Sequence, residues 1–187
     1  MKTRVLLLAL AAASLSPLAA QAQQAMVAAQ SEVSFTSRQM GVPVDGRFKS
    51  FSAQVAFDPA KLATSSIAFS VDTGSADNSR EANAELPKAT WFNVAAFPKA
   101  TFQSSAIKRI DATRYEVAGK LSIKGVSSYV VVPVTLAQNG ATTTATGTFP
   151  IKRLTFRIGE KEWADTSMVA DEVQVRFKIA LTGVPKL

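Results

Sequence analysis

Apolar and polar residues alternate along most of this chain. Val33 and Phe35 stand among polar neighbours, and Ala53, Val55 and Phe57 repeat the pattern up to an Asp58-Pro59 turn. Ile67, Phe69 and Val71 oppose Ala68, Ser70 and Asp72. Further on, Tyr115, Val117, Gly119, Leu121 and Ile123 oppose Glu116, Ala118, Lys120, Ser122 and Lys124. Near the end, Val173, Val175, Phe177, Ile179 and Leu181 oppose Glu172, Gln174, Arg176, Lys178 and Ala180. Successive side chains leave a pleated strand on opposite sides, so a period of two with one apolar face predicts half-buried antiparallel strands. Turn residues at Asp111-Ala112-Thr113, Lys124-Gly125 and Asn139-Gly140 predict hairpins between them. Phe48 and Phe51 are out of phase, which predicts a bulge or bend near Lys49-Ser50. Only Asn78 to Leu86 reads as helix, with Asp77 or Asn78 as N-cap and Pro87 as the stop; a single turn after Pro59 is a second short insertion.

About eight strands in series predict one all-β domain, an antiparallel barrel or sandwich. The interior of an eight-stranded barrel is either filled by side chains or holds one small ligand. Periodicity does not choose between the two.

Composition narrows the chemistry. The chain has 187 residues, 47% of them hydrophobic, with no histidine and no cysteine. That excludes disulfides, thiolate nucleophiles, Cys/His zinc sites and every catalytic arrangement built on histidine. Carboxylates cluster at Glu81 and Glu85, at Glu160, Glu162 and Asp165, and at Asp171 and Glu172, among lysines in loops or at strand starts, which reads as solvated surface. No catalytic residue, metal ligand or resident cofactor is expected.

The first 22 residues read as a secretory signal: Lys2 and Arg4, an apolar run from Val5 to Ala13, then Ala20-Gln21-Ala22 for cleavage. Residues 23–187 form the mature domain, with the periplasm as the expected location. No later segment reaches the ~18 consecutive apolar residues of a membrane span. Losing Lys2 and Arg4 takes the net charge from +7 to +5. The remaining basic residues are scattered and not interleaved with exposed aromatics, so no nucleic-acid partner is expected; peripheral contact with anionic lipid stays open.

The order of motifs resembles the YceI-like family of lipocalin-like exported proteins. Ser31-Glu32-Val33-Ser34-Phe35 precedes Gly41-Val42-Pro43-Val44-Asp45-Gly46-Arg47-Phe48, and Val71-Asp72-Thr73-Gly74 follows. Trp91-Phe92-Asn93 leads into Phe97-Pro98-Lys99-Ala100-Thr101-Phe102, and Gly119-Lys120-Leu121-Ser122-Ile123-Lys124-Gly125-Val126 completes the series. The resemblance implies a lipocalin-like eight-stranded barrel whose apolar cavity binds an isoprenoid lipid of the ubiquinone or polyprenyl phosphate type, for carriage, storage or sensing. It implies a cavity lined by Phe35, Phe48, Val55, Phe57, Phe69, Val71, Phe92, Phe97, Phe102, Val117, Leu121, Phe149, Phe156, Val175 and Phe177. Many relatives carry histidines in the first loop and the short helix, where this chain has Gln39 and Arg80-Glu81-Ala82-Asn83. Arg38, Gln39, Asn78, Arg80 and Asn93 are the expected mouth residues in their place. The ending, Ile151-Lys152-Arg153-Leu154-Thr155-Phe156-Arg157-Ile158-Gly159 with Glu162-Trp163 and Val169 to Val173, is similar to a subset associated with cytochrome b561-type membrane proteins. This implies an alternative role, an accessory protein of such a cytochrome with a solid barrel core.

Overall fold

In the computed structural model, which describes residues 23–187, the alternating segments become the wall of a barrel. The leader expected over residues 1–22 lies outside the described residues. The elements in order are β1 (Ala25–Met26), β2 (Glu32–Gln39), β3 (Val42–Phe48), β4 (Phe51–Ala56), β5 (Ser66–Asp72) and β6 (Ala76–Asp77). The helix α1 (Arg80–Glu85) follows, then β7 (Lys99–Arg109), β8 (Arg114–Ile123), β9 (Val126–Asn139), β10 (Thr142–Lys152) and β11 (Glu172–Thr182). Every pairing is antiparallel.

Two bends close the ring. β3 and β4 are halves of one strand, broken at Lys49-Ser50 as Phe48 and Phe51 require. β5 and β6 are halves of another, broken by a 3-10 turn at Thr73–Ser75. β4 pairs with β5 (Phe51↔Val71) and β3 with β6 (Phe48↔Ala76). The corner is bonded too: the Asp72 N–H donates to Ser50 O at 3.0 Å and the Lys49 N–H to Ser75 O at 3.1 Å. With each bent pair counted once, eight strands run β2, β3–β4, β5–β6, β7, β8, β9, β10, β11 and back to β2. This is the all-β antiparallel, lipocalin-like barrel that the motif order implied. The β9–β10 ladder stops at Thr146↔Thr135. The next rung falls at Pro133, which has no N–H to donate.

Strand faces follow the alternation. Tyr115, Val117 and Ile123 are buried, while Glu116, Lys120 and Lys178 are exposed. A bulge at Ser104–Ala106 in β7 shifts the phase, so Phe102 and Ile107 face the same interior. Ala180, expected on the polar side, is buried because the N-terminal segment lies over it: Val27 N–H donates to Ala180 O at 2.8 Å, and Ala180 N–H to Ser31 Oγ at 3.0 Å.

Two local expectations need correction. The hairpin expected at Asn139-Gly140 turns one residue later: Asn139 pairs with Thr142, leaving Gly140 (φ 58°) and Ala141 at the tip. The helix is shorter than Asn78 to Leu86. Ser79, not Asp77 or Asn78, caps it, its hydroxyl accepting from the Ala82 N–H at 3.1 Å.

Candidate functional site

The barrel is hollow. A cavity of about 480 Å³ runs down its axis, and its lining is almost wholly apolar. At one end the lining residues are buried: Phe57, Tyr115, Leu136, Thr143, Leu181 and Val184. At the other end Gln39, Met40, Ser79, Glu81 and Met168 are exposed, which makes this the mouth. From Tyr115 to Ile123 the β8 wall is roughly 25 Å long at about 3.3 Å per residue.

Glycines explain how so many phenylalanines leave a lumen. Gly46 on β3 is paired with Phe35 on β2, and a Cβ at Gly46 would stand 2.3 Å from Phe35 Cζ. Gly147 on β10 is paired with Phe177 on β11 and is covered in the same way, with Phe177 Cζ 2.4 Å from its missing Cβ. Phe102 covers Gly119, Cζ at 2.6 Å. Each ring lies on backbone that bears no side chain, flat against the wall. The rings line the space without filling it.

The expected cavity residues are distributed unevenly. Phe35, Phe48, Val55, Phe57, Phe69, Val71, Phe92, Phe102, Val117, Leu121, Phe149, Val175 and Phe177 lie on its wall. Phe97 and Phe156 do not. The Phe97 ring sits beneath the β8–β9 turn, its Cε1 2.8 Å from where a Gly125 Cβ would be. Phe156 belongs to a 3-10 turn after β10 and packs with Ile123 and Ile158 in a separate cluster that plugs the wall. Both are apolar residues of connections, Phe156 buried and Phe97 half-buried, and the alternation of strands says nothing about connections.

Among the expected mouth residues, Gln39 and Asn78 line the opening and Arg38, Arg80 and Asn93 do not. Arg38 is one position out of phase with the inward face of β2 and turns its Nη1 to Gly41 O at 3.2 Å. Arg80 is exposed at the outer start of α1. Asn93 holds a left-handed backbone conformation (φ 50°) in the connection after α1, outside the cavity lining.

Sequence reasoning did not place Met40, Ser79, Glu81, Glu85, Trp163, Met168 and Arg153 in the lining. For Glu81 and Glu85 the signal was present, because an i, i+4 pair shares one helix face. α1 is held over the opening by side-chain bonds to the barrel: Asn78 Nδ2 donates to Asp45 O at 3.0 Å and Asn83 Nδ2 to Asp77 Oδ1 at 3.1 Å. Lys49 also reaches Asp77, at 3.1 Å, and with Asn83 it holds the Asp77 carboxyl below the usual carboxylate range.

Arg153 organises the opposite lip. Its side chain is 1% exposed, and all five of its N–H groups are used on main-chain carbonyls. Nε donates to Ala170 O at 3.0 Å, Nη1 to Ile158 O at 2.9 Å and Gly159 O at 2.8 Å, and Nη2 to Trp163 O and Val169 O at 2.7 Å each. The guanidinium also stacks over Trp91, which packs on Trp163 with ring centroids 5.5 Å apart. Lys124 fastens the same segment from the β8–β9 turn, donating to Arg157 O at 2.6 Å and to Glu160 at 2.9 Å; that last bond lowers the Glu160 pKa. Among the described residues no group of histidine, cysteine, aspartate and glutamate side chains has the spacing to hold a metal ion.

A closed antiparallel barrel, a corner helix and an apolar axial cavity coincide with a family match over residues 25–181, to the YceI-like domain. The chain belongs to the YceI-like family. This YceI-like barrel resembles the crystal structure of BcnA from Burkholderia cenocepacia, with a TM-score of 0.80 and 49% identity over 83% of this chain and 98% of that one. A structure described as a polyisoprenoid binding domain from Saccharophagus degradans aligns over 86% of this chain and 98% of its own, with a TM-score of 0.70; at 14% identity it shows the fold alone. Among curated relatives, a UPF0312 protein of Vibrio cholerae is 29% identical over 71% of this chain and 72% of its own. The match to a UPF0312 protein of Azotobacter vinelandii, 34% identical, spans about half the length of each protein, 46%.

Proposed function

We propose that this protein is an exported, periplasmic carrier that encloses the tail of an isoprenoid lipid, of the quinone or polyprenyl type, and does no covalent chemistry. The observation that carries this reading is the hollow apolar lumen. Its volume falls in the roughly 300–1,000 Å³ range of ligand sites. The lumen opens to solvent at the mouth, so a flexible hydrocarbon tail that enters displaces water from apolar walls and gains about 25 cal/mol for each Å² it buries. The solid core of the alternative role does not fit this interior, and an association with a b561-type cytochrome rests on the sequence likeness at the end of the chain.

Met40 and Met168 extend the apolar surface outward at the mouth, 71% and 48% exposed, where a tail enters from a membrane. The test is lipid extraction of protein purified from its own periplasm, with mass spectrometry, and titration of the delipidated protein with a long-tail quinone. One lipid per chain and saturable uptake are expected. Lipid-free protein that takes up no quinone overturns the reading.

A further inference from the structure

We infer that the cavity selects an isoprenoid whose head is uncharged and bears an oxygen acceptor, such as a quinone, and discriminates against the same tail carrying a phosphate. This rests on the isoprenoid reading above and deepens it. Phosphate recognition needs cationic or N–H donors free to meet it. One cation, Arg153, lines the cavity, and its five donors are spent on the carbonyls of residues 158, 159, 163, 169 and 170. The remaining charged groups in the lining are carboxylates, Glu81 and Glu85, both at the mouth. Glu85 is paired with Lys88, and Glu81 has no ion-pair partner among the described residues. The nearby cations lie outside the lining: Arg38 gives a bond to Gly41 O, Lys88 is paired with Glu85, and Arg80, Arg157 and Lys161 are exposed.

Uncharged donors, by contrast, are unspent. Trp91 Nε1 near the mouth and Tyr115 Oη at the closed end are buried and have no hydrogen-bond partner among the described residues; both side chains line the cavity. A buried donor left unpaired is costly, and a ligand carbonyl or ether oxygen relieves it. A head at the mouth meets two carboxylates and an indole N–H. A head at the closed end meets a phenol; the Arg109 guanidinium, 5.8 Å from that ring's centroid, stays outside the lining and donates to Asp111 O and Ala112 O.

The experiment compares three ligands with one tail length: a polyprenyl quinone, the polyprenol and the polyprenyl phosphate. They are titrated into delipidated protein at low and high salt, with bound lipid counted by mass spectrometry. The phosphate is expected to bind about tenfold or more weakly than the quinone at low salt, the scale of like-charge repulsion near a protein surface, with the gap closing as salt rises. Replacing both Glu81 and Glu85 by Gln should bring the phosphate several-fold closer to the quinone. Trp91→Phe should weaken the quinone more than a head-free polyprene of the same length. Phosphate binding as tight as the quinone, or an unchanged gap in the double variant, overturns this inference while leaving isoprenoid binding standing. Failure of all three lipids to bind overturns both.

Discussion

Replacing Gly46 by alanine tests how the lumen is kept open. Gly46 does not have a positive φ, so alanine is compatible with its backbone. At such a site Gly→Ala ordinarily stabilises by about 0.4–1 kcal/mol, because the unfolded chain loses freedom. Here the new methyl would lie 2.3 Å from Phe35 Cζ and 2.8 Å from both Cε atoms, against about 3.5–4.0 Å for carbons in contact. The three nearest atoms all belong to this ring, so Phe35 must lift off the wall by more than about 1 Å, toward the lumen and Phe48, whose ring centroid is 5.4 Å away. Overpacking of this kind costs about 1–3 kcal/mol, which outweighs the backbone gain and reverses the sign. At about 2–4 °C per kcal/mol for a chain of this size, Tm should fall by several degrees. Thermal denaturation of the delipidated variant reads this directly, and a quinone tail-length series reads the narrowed lumen as a selective loss for long tails. Adding Phe35→Leu to Gly46→Ala should recover stability relative to the sum of the single changes, the coupling expected of residues in contact. A Gly46→Ala protein as stable as the parent, or more so, with unchanged long-tail uptake, would refute the flat-ring account of the cavity.

Three further outcomes are expected. Arg153→Lys keeps the charge but offers three donors for five carbonyls, so urea denaturation should show a loss of at least about 2–3 kcal/mol. Ser79→Ala removes the cap of α1 and should cost about 1 kcal/mol, with faster amide exchange confined to the mouth helix. Asp111, held down to about 2 by the Thr113 backbone N–H and then by the Arg114 side chain, contributes stability that is complete above its ordinary value of 3.8 and lost as pH falls toward 2. Asp111→Asn should therefore lower Tm at pH 5–7 and flatten its decline between about pH 4 and 2; an acid limb identical to the parent's would exclude this role for Asp111.

The alternation at Val33–Phe35, Ile67–Val71, Tyr115–Ile123 and Val173–Leu181 was enough to read the strands and which side of each faces in. A pleated strand has only two faces, and burial of one requires the pattern. The phase conflict between Phe48 and Phe51 even marked the corner where the ring closes. Phe97 and Phe156 were misplaced because their apolar character reports burial, and burial in a connection looks the same in sequence as burial in a wall. Arg38 and Gln39 are neighbours on one strand, so placing both at the mouth ignored the alternation that separates them.

What the sequence determined by itself is therefore local and periodic: strands, turns, inward faces, the absence of histidine and cysteine chemistry, and, through the order of motifs, the family. Whether the barrel is hollow was decided only in three dimensions. Gly46 and Gly147 each meet a phenylalanine from a different strand, and Gly119 lies under Phe102, so the room they make exists only after the strands pair in register. The charge of the mouth was decided there as well. Arg153 reads in sequence as one more basic residue, and only the folded loop spends its five donors on carbonyls five to seventeen residues away. Periodicity encodes which way a side chain points; the space left between side chains, and the donors left over, depend on contacts between segments far apart in the chain.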